Sequence, residues 1–306
     1  MLDPNHSPKT ENPLQKLYEQ CTYKTMLDKS LDVPVFPRML DVELTNHCNF
    51  KCVMCPTGQG IVKREKGHIS TKTLLKVLDE AWLHDTPIRY IRWGEPLLYR
   101  HFENALIETK QRDLLCHINT NGSLLTKEVS DFLVHVGLDS LKVSFQGVNE
   151  VGYNAMRING SYDSIIKNIK TLHRIRTALK SSYPFIQIGT TIINETAMAI
   201  ADFIASVDAF TDAVYIGKTK DLQEKNAVHL ACECPEVFDK LSVNWDGTVT
   251  ACCGDYDNFM LVGNIHEQTL QQIWEGEQLA KYRQLLLNYR HSELHLCSRC
   301  ARSKEE

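Results

Sequence analysis

The amino-acid sequence contains no apolar run that approaches the roughly 18 residues needed to span a membrane. Its first ten residues are polar and include proline, and no apolar signal region follows them. Basic residues are not in excess either, since 34 Lys and Arg stand against 38 Asp and Glu, for a net charge of −4. Because a nucleic-acid footprint needs a basic face, these absences predict a cytoplasmic protein whose partners include neither nucleic acid nor a membrane.

Cysteine is plentiful by contrast, and its distribution does not fit a disulfide scaffold. The 306 residues include eleven cysteines, and a chain of this length can bury a core without cross-links. Disulfides are also rare in the reducing cytoplasm that the composition predicts. Most of the cysteines fall into two groups, one near residue 50 and one after residue 230. We therefore expect metal or metal-cluster binding at two places.

Between residues 38 and 225, short apolar strands alternate with helical patterns, which is typical of βαβ units and a parallel sheet. The predicted strands are Met39–Leu44, Ile88–Trp93, Cys116–Asn119, Ser140–Phe145, Phe185–Ile193 and Ala213–Ile216. The predicted helices are Thr71–Leu83, Phe102–Gln111, Lys127–Val136, Tyr162–Thr177 and Ala197–Val207. Six units are fewer than the eight of a complete barrel. We therefore expect an α/β fold with a partial (β/α)6 TIM-like barrel.

The residues on either side of this barrel have a different character. A polar lead-in contains one predicted helix, Leu14–Leu27, and the C-terminal part is a compact cysteine-bearing segment. There, predicted strands at Leu241–Asn244 and Thr248–Ala251 flank Asp246-Gly247, a strong hairpin signal. We predict three parts, namely a lead-in at 1–37, the barrel at 38–225 and a small C-terminal cysteine-bearing domain at 226–306.

Three cysteines follow the first predicted strand with the spacing Cys48-x3-Cys52-x2-Cys55. In a loop, this spacing can direct three thiolates at one small volume, and such thiolates hold iron–sulfur clusters, normally four to a [4Fe–4S] cubane. Three ligands leave one iron open to a small molecule. The alternative is a structural zinc loop that borrows a fourth ligand such as His47, although zinc loops usually contain C-x2-C pairs.

Together with Gly94-Glu95-Pro96 after the second strand, this motif resembles the radical S-adenosylmethionine (SAM) superfamily. The resemblance implies that the three cysteines hold a [4Fe–4S] cluster whose open iron binds the amino and carboxylate groups of SAM. It also implies that Glu95 accepts a hydrogen bond from the SAM ammonium and that Gly94 permits close approach. Met54, where relatives usually have an aromatic residue, would pack against the adenine. Trp93 stands where relatives often have a further glycine.

The resemblance also extends to the ends of later strands, on the same rim of the barrel. It implies that Asn121 and Ser144 contact the ribose or carboxylate of SAM. Each has an alternative interpretation as a turn residue that satisfies local backbone groups. Gly189 resembles the small residue that lets the adenine lie against the sheet, although a single glycine in a strand is weak support.

The second group of cysteines lies in the C-terminal segment. Cys234 and Cys252 are separated by 17 residues, with the predicted hairpin between them, and Cys297-x2-Cys300 follows near the end. Four thiolates without an open position fit a fully ligated [4Fe–4S] cluster, and a four-cysteine zinc site is the alternative. Cys232 could replace Cys234 as a ligand.

This segment resembles the SPASM/twitch extension of radical SAM enzymes, through residues 244–253 and the later Val262-Gly-Asn-Ile265. The single-cluster twitch form agrees better with the number of cysteines. Within that subgroup, the ligand spacing resembles that of aminocyclitol dehydrogenases. The resemblance implies a second, auxiliary [4Fe–4S] cluster.

From these features we expect an enzyme that generates a 5′-deoxyadenosyl radical and abstracts hydrogen from a small polar substrate, with chemistry supplied by the cofactor. If the auxiliary cluster accepts an electron, the simplest reaction is oxidation of a secondary alcohol in a sugar, nucleotide sugar or aminocyclitol. Arg157 is a candidate for binding a hydroxyl or alkoxide, and a surface ion pair is its alternative role. A donor such as flavodoxin or ferredoxin would reduce the clusters.

Three other functions stay open at this point. In an epimerase, Cys253 would donate hydrogen to the opposite face of the substrate, whereas otherwise it is a small buried hydrophobe. Because neighbours in a strand point to opposite faces, only one of Cys252 and Cys253 is expected to bind the cluster. The same extension accompanies peptide maturation. A non-enzymatic iron–sulfur or zinc protein would leave Gly94-Glu95-Pro96 without a role.

Overall fold

The structure is a computed structural model that describes residues 11–22, 25–219 and 234–300. Its strands are β1 (Met39–Val42), β2 (Lys51–Cys52), β3 (Ile88–Tyr90), β4 (Cys116–Thr120), β5 (Ser140–Ser144), β6 (Arg157–Ile158), β7 (Phe185–Ile192), β8 (Ala213–Lys218), β9 (Lys240–Val243), β10 (Thr248–Thr250) and β11 (Leu261–Asn264). Its α-helices are α1 (Gln15–Thr22), α2 (Met26–Leu31), α3 (Pro56–Gln59), α4 (Thr71–Leu83), α5 (Phe102–Gln111), α6 (Lys127–His135), α7 (Glu150–Met156), α8 (Tyr162–Ala178), α9 (Ala197–Val207), α10 (Glu236–Asp239), α11 (Leu270–Trp274) and α12 (Glu277–Leu287). No helix in these ranges is long and apolar enough to cross a membrane.

One nine-stranded sheet organises the fold, in the order β11-β10-β9-β1-β3-β4-β5-β7-β8. Every neighbouring pair from β9 to β8 is parallel, and β10 and β11 continue the sheet in antiparallel orientation. Helices α4, α5, α6, α8 and α9 lie between successive strands from β1 to β8 along the chain, as right-handed crossovers of parallel strands require. The predicted α/β fold with a partial TIM-like barrel is confirmed.

The two faces of the parallel strands differ in polarity, which determines what the barrel can hold. One set of alternate residues is apolar and fully buried, including Leu40, Ile88, Ile118, Leu141 and Ile188. Because side chains alternate across a strand, the residues between them point to the opposite face, into the barrel. These inward residues are polar: Asp41, Arg89, His117, Asn119, Lys142 and Gln187. The helices therefore cover the apolar face, and the barrel interior is polar.

The C-terminal segment continues the barrel sheet. Strand β9 pairs in parallel with β1, with Leu40 opposite Leu241. The predicted hairpin is present between β9 and β10, and its turn is made by Asp246, whose carboxylate accepts from the Thr248 amide, and by Gly247 at φ +85°. The predicted domain boundary near residue 225 lies outside the described residues, so the division into three parts stays a prediction.

The lead-in differs from its prediction. The single predicted helix Leu14–Leu27 is wrong, because two helices, α1 and α2, occupy this region. The Thr25 hydroxyl accepts from the Asp28 amide, and the Asp28 carboxylate accepts from the Thr25 amide. This reciprocal capping box starts a new helix at Met26, and a helical hydrophobic pattern alone does not reveal it.

Candidate active site

The three cysteines of the first motif lie on a short loop that the fold holds firmly. Cys52 is in the two-residue strand β2, which pairs with β6, and Cys55 is the residue before α3. A methyl group at Gly58 would overlap the backbone of Cys52, so the loop closes tightly there. Burial, with smaller contributions from the nearby Glu95, Cys52 and Cys55, raises the pKa of the Cys48 thiol to about 11. The three thiols therefore lie close together, as cluster ligands must.

Two side chains donate hydrogen bonds to the sulfurs of this loop. Asn121 Nδ2 lies 4.0 Å from Cys48 Sγ and 2.8 Å from Asn49 Oδ1. Arg157 Nη1 lies 3.6 Å from Cys52 Sγ, and its Nη2 donates to the Phe145 carbonyl at 2.9 Å. Such donors favour the thiolate form that a metal cluster needs. Arg157 thus lies at the cluster loop, and its predicted role in binding a hydroxyl or alkoxide stays a prediction.

A buried donor at this point also fits SAM. The Nε–H group of Arg157 is buried and finds no acceptor among the described residues. A buried donor without a partner is costly, and the carboxylate that SAM would place beside the cluster is an acceptor of the right charge. The residues present therefore fit both the cluster and SAM.

Gly94 and Glu95 pack directly on the cluster loop. A methyl group at Gly94 would overlap the Thr45 carbonyl oxygen, and the Glu95 amide donates to the His47 carbonyl at 2.8 Å. Only glycine allows this approach, so the close contact predicted for Gly94 is made to the backbone before Cys48. These contacts therefore hold the backbone that precedes Cys48 against Gly94 and Glu95.

The Glu95 carboxylate has partners other than the one implied by the resemblance. It is 2% exposed and accepts from the Thr120 hydroxyl at 2.7 Å and the Asn121 amide at 2.7 Å. Burial raises its pKa to about 7. This carboxylate is therefore engaged with the end of β4, and its hydrogen bond from the SAM ammonium stays a prediction.

The remaining residues of the predicted SAM site lie on the same rim but differ in surroundings. Met54 is half-buried in the turn between β2 and α3, and Pro96 starts a short 3-10 helix. Ser144 ends β5 directly opposite Gly189 of β7. The space above Gly189 is occupied by the Lys142 side chain, whose Cδ would lie 2.9 Å from an added Cβ. An adenine at Gly189 therefore requires the lysine stem to move.

The second group of cysteines surrounds the end of the β9–β10 hairpin. The Cys252 thiol accepts from the Gly254 amide at 3.3 Å, and the Cys234 thiol lies near enough to raise its pKa. Cys297 contacts Met260 at 3.7 Å between sulfurs, and Cys300 ends the same 3-10 turn. Cys232 lies outside the described residues.

The argument that Cys252 and Cys253 point to opposite faces is wrong. Strand β10 ends at Thr250, so the pair lies beyond the strand and does not follow its alternation. The two thiols hydrogen-bond to each other, which raises the pKa of Cys252 and lowers that of Cys253. The charges near Cys253 include Asp41 and Lys240 of the barrel interior. Cys253 therefore lies between the auxiliary segment and the barrel.

Arg92 and Trp93 connect the SAM motif to this segment, a link that the sequence did not reveal. The Arg92 guanidinium donates to the carbonyls of Cys252 and Cys253 at 3.1 and 3.0 Å, and to the Asp255 carbonyl at 2.9 Å. The Trp93 indole also donates to the Asp255 carbonyl, at 2.9 Å. Strand β3 ends at Tyr90, before these residues, so the predicted strand Ile88–Trp93 was too long. Because the chain leaves the strand after Tyr90, both side chains reach the second group of cysteines.

Several polar residues on the rim of the barrel have structural partners. Asn149 caps α7 by accepting from the Gly152 amide at 2.9 Å, and Gln146 donates to the Thr219 hydroxyl at 2.7 Å. Tyr153 is fully buried against Phe145. The inward residues of the parallel strands are the better candidates for substrate binding, and their strict alternation with apolar residues was the signal for them.

Comparison with known proteins identifies the class to which this fold and site belong. The chain belongs to the radical SAM superfamily, which it matches over residues 42–202, and residues 232–301 match the SPASM iron–sulfur cluster-binding domain. It is therefore a radical SAM enzyme with a [4Fe–4S] cluster that works with SAM, together with an auxiliary iron–sulfur cluster. Enzymes of this class need a reductant. The predicted family and cofactors are confirmed.

Individual relatives are distant. The chain is 24% identical, over 85% of its length and 87% of the relative's, to the tungsten-containing aldehyde ferredoxin oxidoreductase cofactor-modifying protein of Pyrococcus furiosus. It spans less than half the length of several other curated relatives that it matches.

Among solved structures, the chain is similar to BtrN, the dehydrogenase of the butirosin pathway, in complex with AdoMet and 2-DOIA (17% identity, TM-score 0.62, 87% of this chain and 93% of BtrN). It is also similar to Streptococcus suis SuiB bound to the precursor peptide SuiA (16% identity, TM-score 0.67, 92% and 74%). At these identities, the likeness establishes the fold.

Proposed function

We propose that this enzyme oxidises a secondary alcohol of a small polar substrate to a ketone. The carbon that bears the hydroxyl would lose its hydrogen atom to the radical derived from SAM, the hydroxyl proton would be released to water, and the auxiliary cluster would serve as acceptor for the remaining electron. The observation that carries the proposal is the polar inner face of the barrel, whose Asp41 and Lys142 lie near Cys253 of the second group. An apolar substrate would leave the Lys142 ammonium without a bonded partner, at a cost.

The residues have separate roles in this proposal. Cys48, Cys52 and Cys55 hold the first cluster, with Asn121 and Arg157 donating to its sulfurs. The ligands of the auxiliary cluster are Cys234, Cys252, Cys297 and Cys300. When bound, SAM and the reduced first cluster supply the radical that removes the hydrogen atom, and the auxiliary cluster accepts the electron.

Arg92 and Trp93 keep the two regions at a fixed separation, because they bridge the SAM motif and the auxiliary loop. A fixed separation suits electron removal from a substrate held between the regions. The likeness in fold to BtrN supports the same assignment, and a reductant such as flavodoxin or ferredoxin would supply electrons from outside.

Epimerisation is the second candidate, and the position of Cys253 favours it. Its thiol faces charges of the barrel interior, including Lys142 and Asp41, where it could return a hydrogen atom to a substrate radical. No contact among the described residues favours peptide maturation in the way that the position of Cys253 favours epimerisation.

An isotope experiment separates the two candidates. Sugars and cyclitols deuterated at the carbon bearing the hydroxyl are incubated without oxygen with reconstituted enzyme, SAM and dithionite. The proposed oxidation places deuterium in 5′-deoxyadenosine and yields a ketone. A product that is still an alcohol, with solvent hydrogen at the same carbon in wild type but not in Cys253→Ala, would instead establish an epimerase.

A further inference from the structure

Three polar side chains lie side by side on the inner face of the barrel. Asn119 of β4 is the register partner of Lys142 of β5, and Lys142 is the partner of Gln187 of β7. We call these three residues the inner row. Their strand neighbours, such as Leu141 and Ile188, are fully buried toward the helices, so the inner row points into the barrel. Lys142 is two residues before Ser144, so the backbone of the row lies deeper in the barrel than the predicted SAM site. The Lys142 side chain extends from there over Gly189, toward the rim.

The Lys142 ammonium has no directly bonded anionic partner among the described residues. No hydrogen bond or ion pair joins its ammonium to any part of the chain that the structure describes. Its neighbours differ in this respect. Arg89 binds Asp41 through two hydrogen bonds of 2.6 and 2.8 Å, and Lys240 pairs with Glu236 at 3.1 Å. In the part of the barrel interior that the structure describes, the positive charge of Lys142 is therefore not met by a direct carboxylate contact, although Asp41 lies near enough to favour it.

The other two members of the row can also donate hydrogen bonds. The Asn119 carbonyl oxygen is taken by His117 Nε2 at 2.7 Å, while His117 Nδ1 meets the Ser140 hydroxyl at 3.0 Å. Burial lowers the pKa of His117 to about 3, so this histidine is neutral. With its oxygen engaged, Asn119 presents its amide N–H groups to the barrel, and Gln187 can present its own.

We propose that the substrate carries an anionic oxygen group, a phosphate or a carboxylate, that binds Lys142 and accepts from Asn119 and Gln187. This inference rests on the proposed function and narrows its substrate class. A nucleotide sugar, sugar phosphate or sugar acid would neutralise the lysine. An aminocyclitol is itself cationic and would add like charge beside Lys142, which is unfavourable at this depth.

Two measurements on the full-length, anaerobically reconstituted enzyme with SAM bound test this proposal. In the first, calorimetric titration compares glucose 1-phosphate, glucuronate, glucose and glucosamine. In the second, mass spectrometry follows acetylation of Lys142 by an N-hydroxysuccinimide ester with each probe present. We expect the phosphate probe, the carboxylate probe or both to bind and to slow acetylation of Lys142, while glucose and glucosamine do neither. The better of the two anions identifies the group.

Variants add a specific control. Lys142→Met should weaken binding of the anionic probe by at least about tenfold, because a buried charge pair loses one partner. Lys142→Arg should stay within about threefold, and Lys127→Met, at an exposed lysine on α6, should bind as wild type does. The acetylation measurement needs no variant, so it stands even if Lys142→Met fails to fold.

The proposal is overturned if neither anionic probe binds or protects Lys142, or if glucosamine protects it equally well. Failure of the proposed function is recognised separately, because the isotope experiment described above would then yield no ketone. If a ketone forms and no anion effect is seen, only the substrate class is refuted.

Discussion

Arg92 shows how a single residue can join two sites that are far apart in sequence. It directly precedes the Trp93-Gly94-Glu95 part of the SAM motif, yet its guanidinium binds the backbone of Cys252, Cys253 and Asp255, about 160 residues later. Each carbonyl left without its donor would cost roughly 1–3 kcal/mol while it stays buried. We infer that Arg92 is a positioning residue for the auxiliary loop.

Substitution of Arg92 should therefore affect the auxiliary cluster. For Arg92→Met, iron per chain after reconstitution is expected to fall from about eight to about four, the content of one cubane, while SAM still perturbs the remaining cluster. Iron and sulfide analysis with electron paramagnetic resonance provides the measurement. The matched control is Arg112→Met, because Arg112 pairs at the surface with Asp79 and Glu108. A variant of Arg92 that retains all its iron and sulfide would contradict this role.

The positions of motif residues could be predicted from the sequence, but not all of their contacts. The loop carrying Cys48 and the glycine at 94 lie where the motifs indicated. Two contacts depend on neighbouring strands. Glu95 binds the end of β4, and the Lys142 side chain lies over Gly189. Those strands are brought together by the tertiary fold, so local spacing carries no signal for these contacts.

At the level of elements, local signals predicted most boundaries well. Helices α4, α5 and α9 begin and end at the predicted residues, because side-chain caps at Ser70 and Thr196 and a clear apolar periodicity mark α4 and α9. Predicted boundaries were wrong where a local cap interrupts the hydrophobic pattern, as the capping box at Thr25 does between α1 and α2. The β9–β10 hairpin was predicted because Asp-Gly is a strong turn signal by itself.

The hairpin turn offers a stability test. Gly247 has φ +85°, where a side chain is strained, so Gly247→Ala should lower the free energy of unfolding by about 1–2 kcal/mol. Gly247→Asn should lose less, because asparagine tolerates this conformation better. Urea unfolding followed by circular dichroism provides the measurement.

Gly217→Ala is the control for the hairpin test. Gly217 lies in β8, and an added Cβ there would meet only Thr191 Cγ2, at 3.8 Å. Its free energy of unfolding should change by no more than about 0.5 kcal/mol. Equal losses for the alanine variants at 247 and 217 would show that backbone strain does not determine the cost.

At the scale of the whole molecule, the C-terminal segment and the lead-in meet around one buried carboxylate. Asp239, at the end of α10, binds Lys29 of α2 at 2.7 Å and Arg38 at 3.0 Å, and both Asp239 and Lys29 are 0% exposed. The parallel pairing of β9 with β1 extends the same connection across the sheet. The sequence predicted the barrel units but not this pairing, because partners about 200 residues apart leave no periodic signal.

Removal of that carboxylate should destabilise the protein as a whole. Asp239→Ala leaves Lys29 charged, buried and unpaired, so we expect the free energy of unfolding to fall by about 3–5 kcal/mol. Asp79→Ala, which breaks an ion pair at a largely exposed carboxylate, should cost at most about 1 kcal/mol. Chemical denaturation of both variants compares these costs, and a loss for Asp239→Ala as small as that for Asp79→Ala would argue against the connection.

The account as a whole depends on Cys48, Cys52 and Cys55 holding a cluster that has one iron open to SAM. The most direct measurement is the formation of 5′-deoxyadenosine from SAM and dithionite by oxygen-free wild type and Cys52→Ala. We predict 5′-deoxyadenosine from the wild type, and none from a Cys52→Ala variant that still contains about four iron atoms in its auxiliary cluster. Undiminished SAM cleavage by Cys52→Ala, or zinc in place of iron and sulfide at these cysteines, would contradict the account.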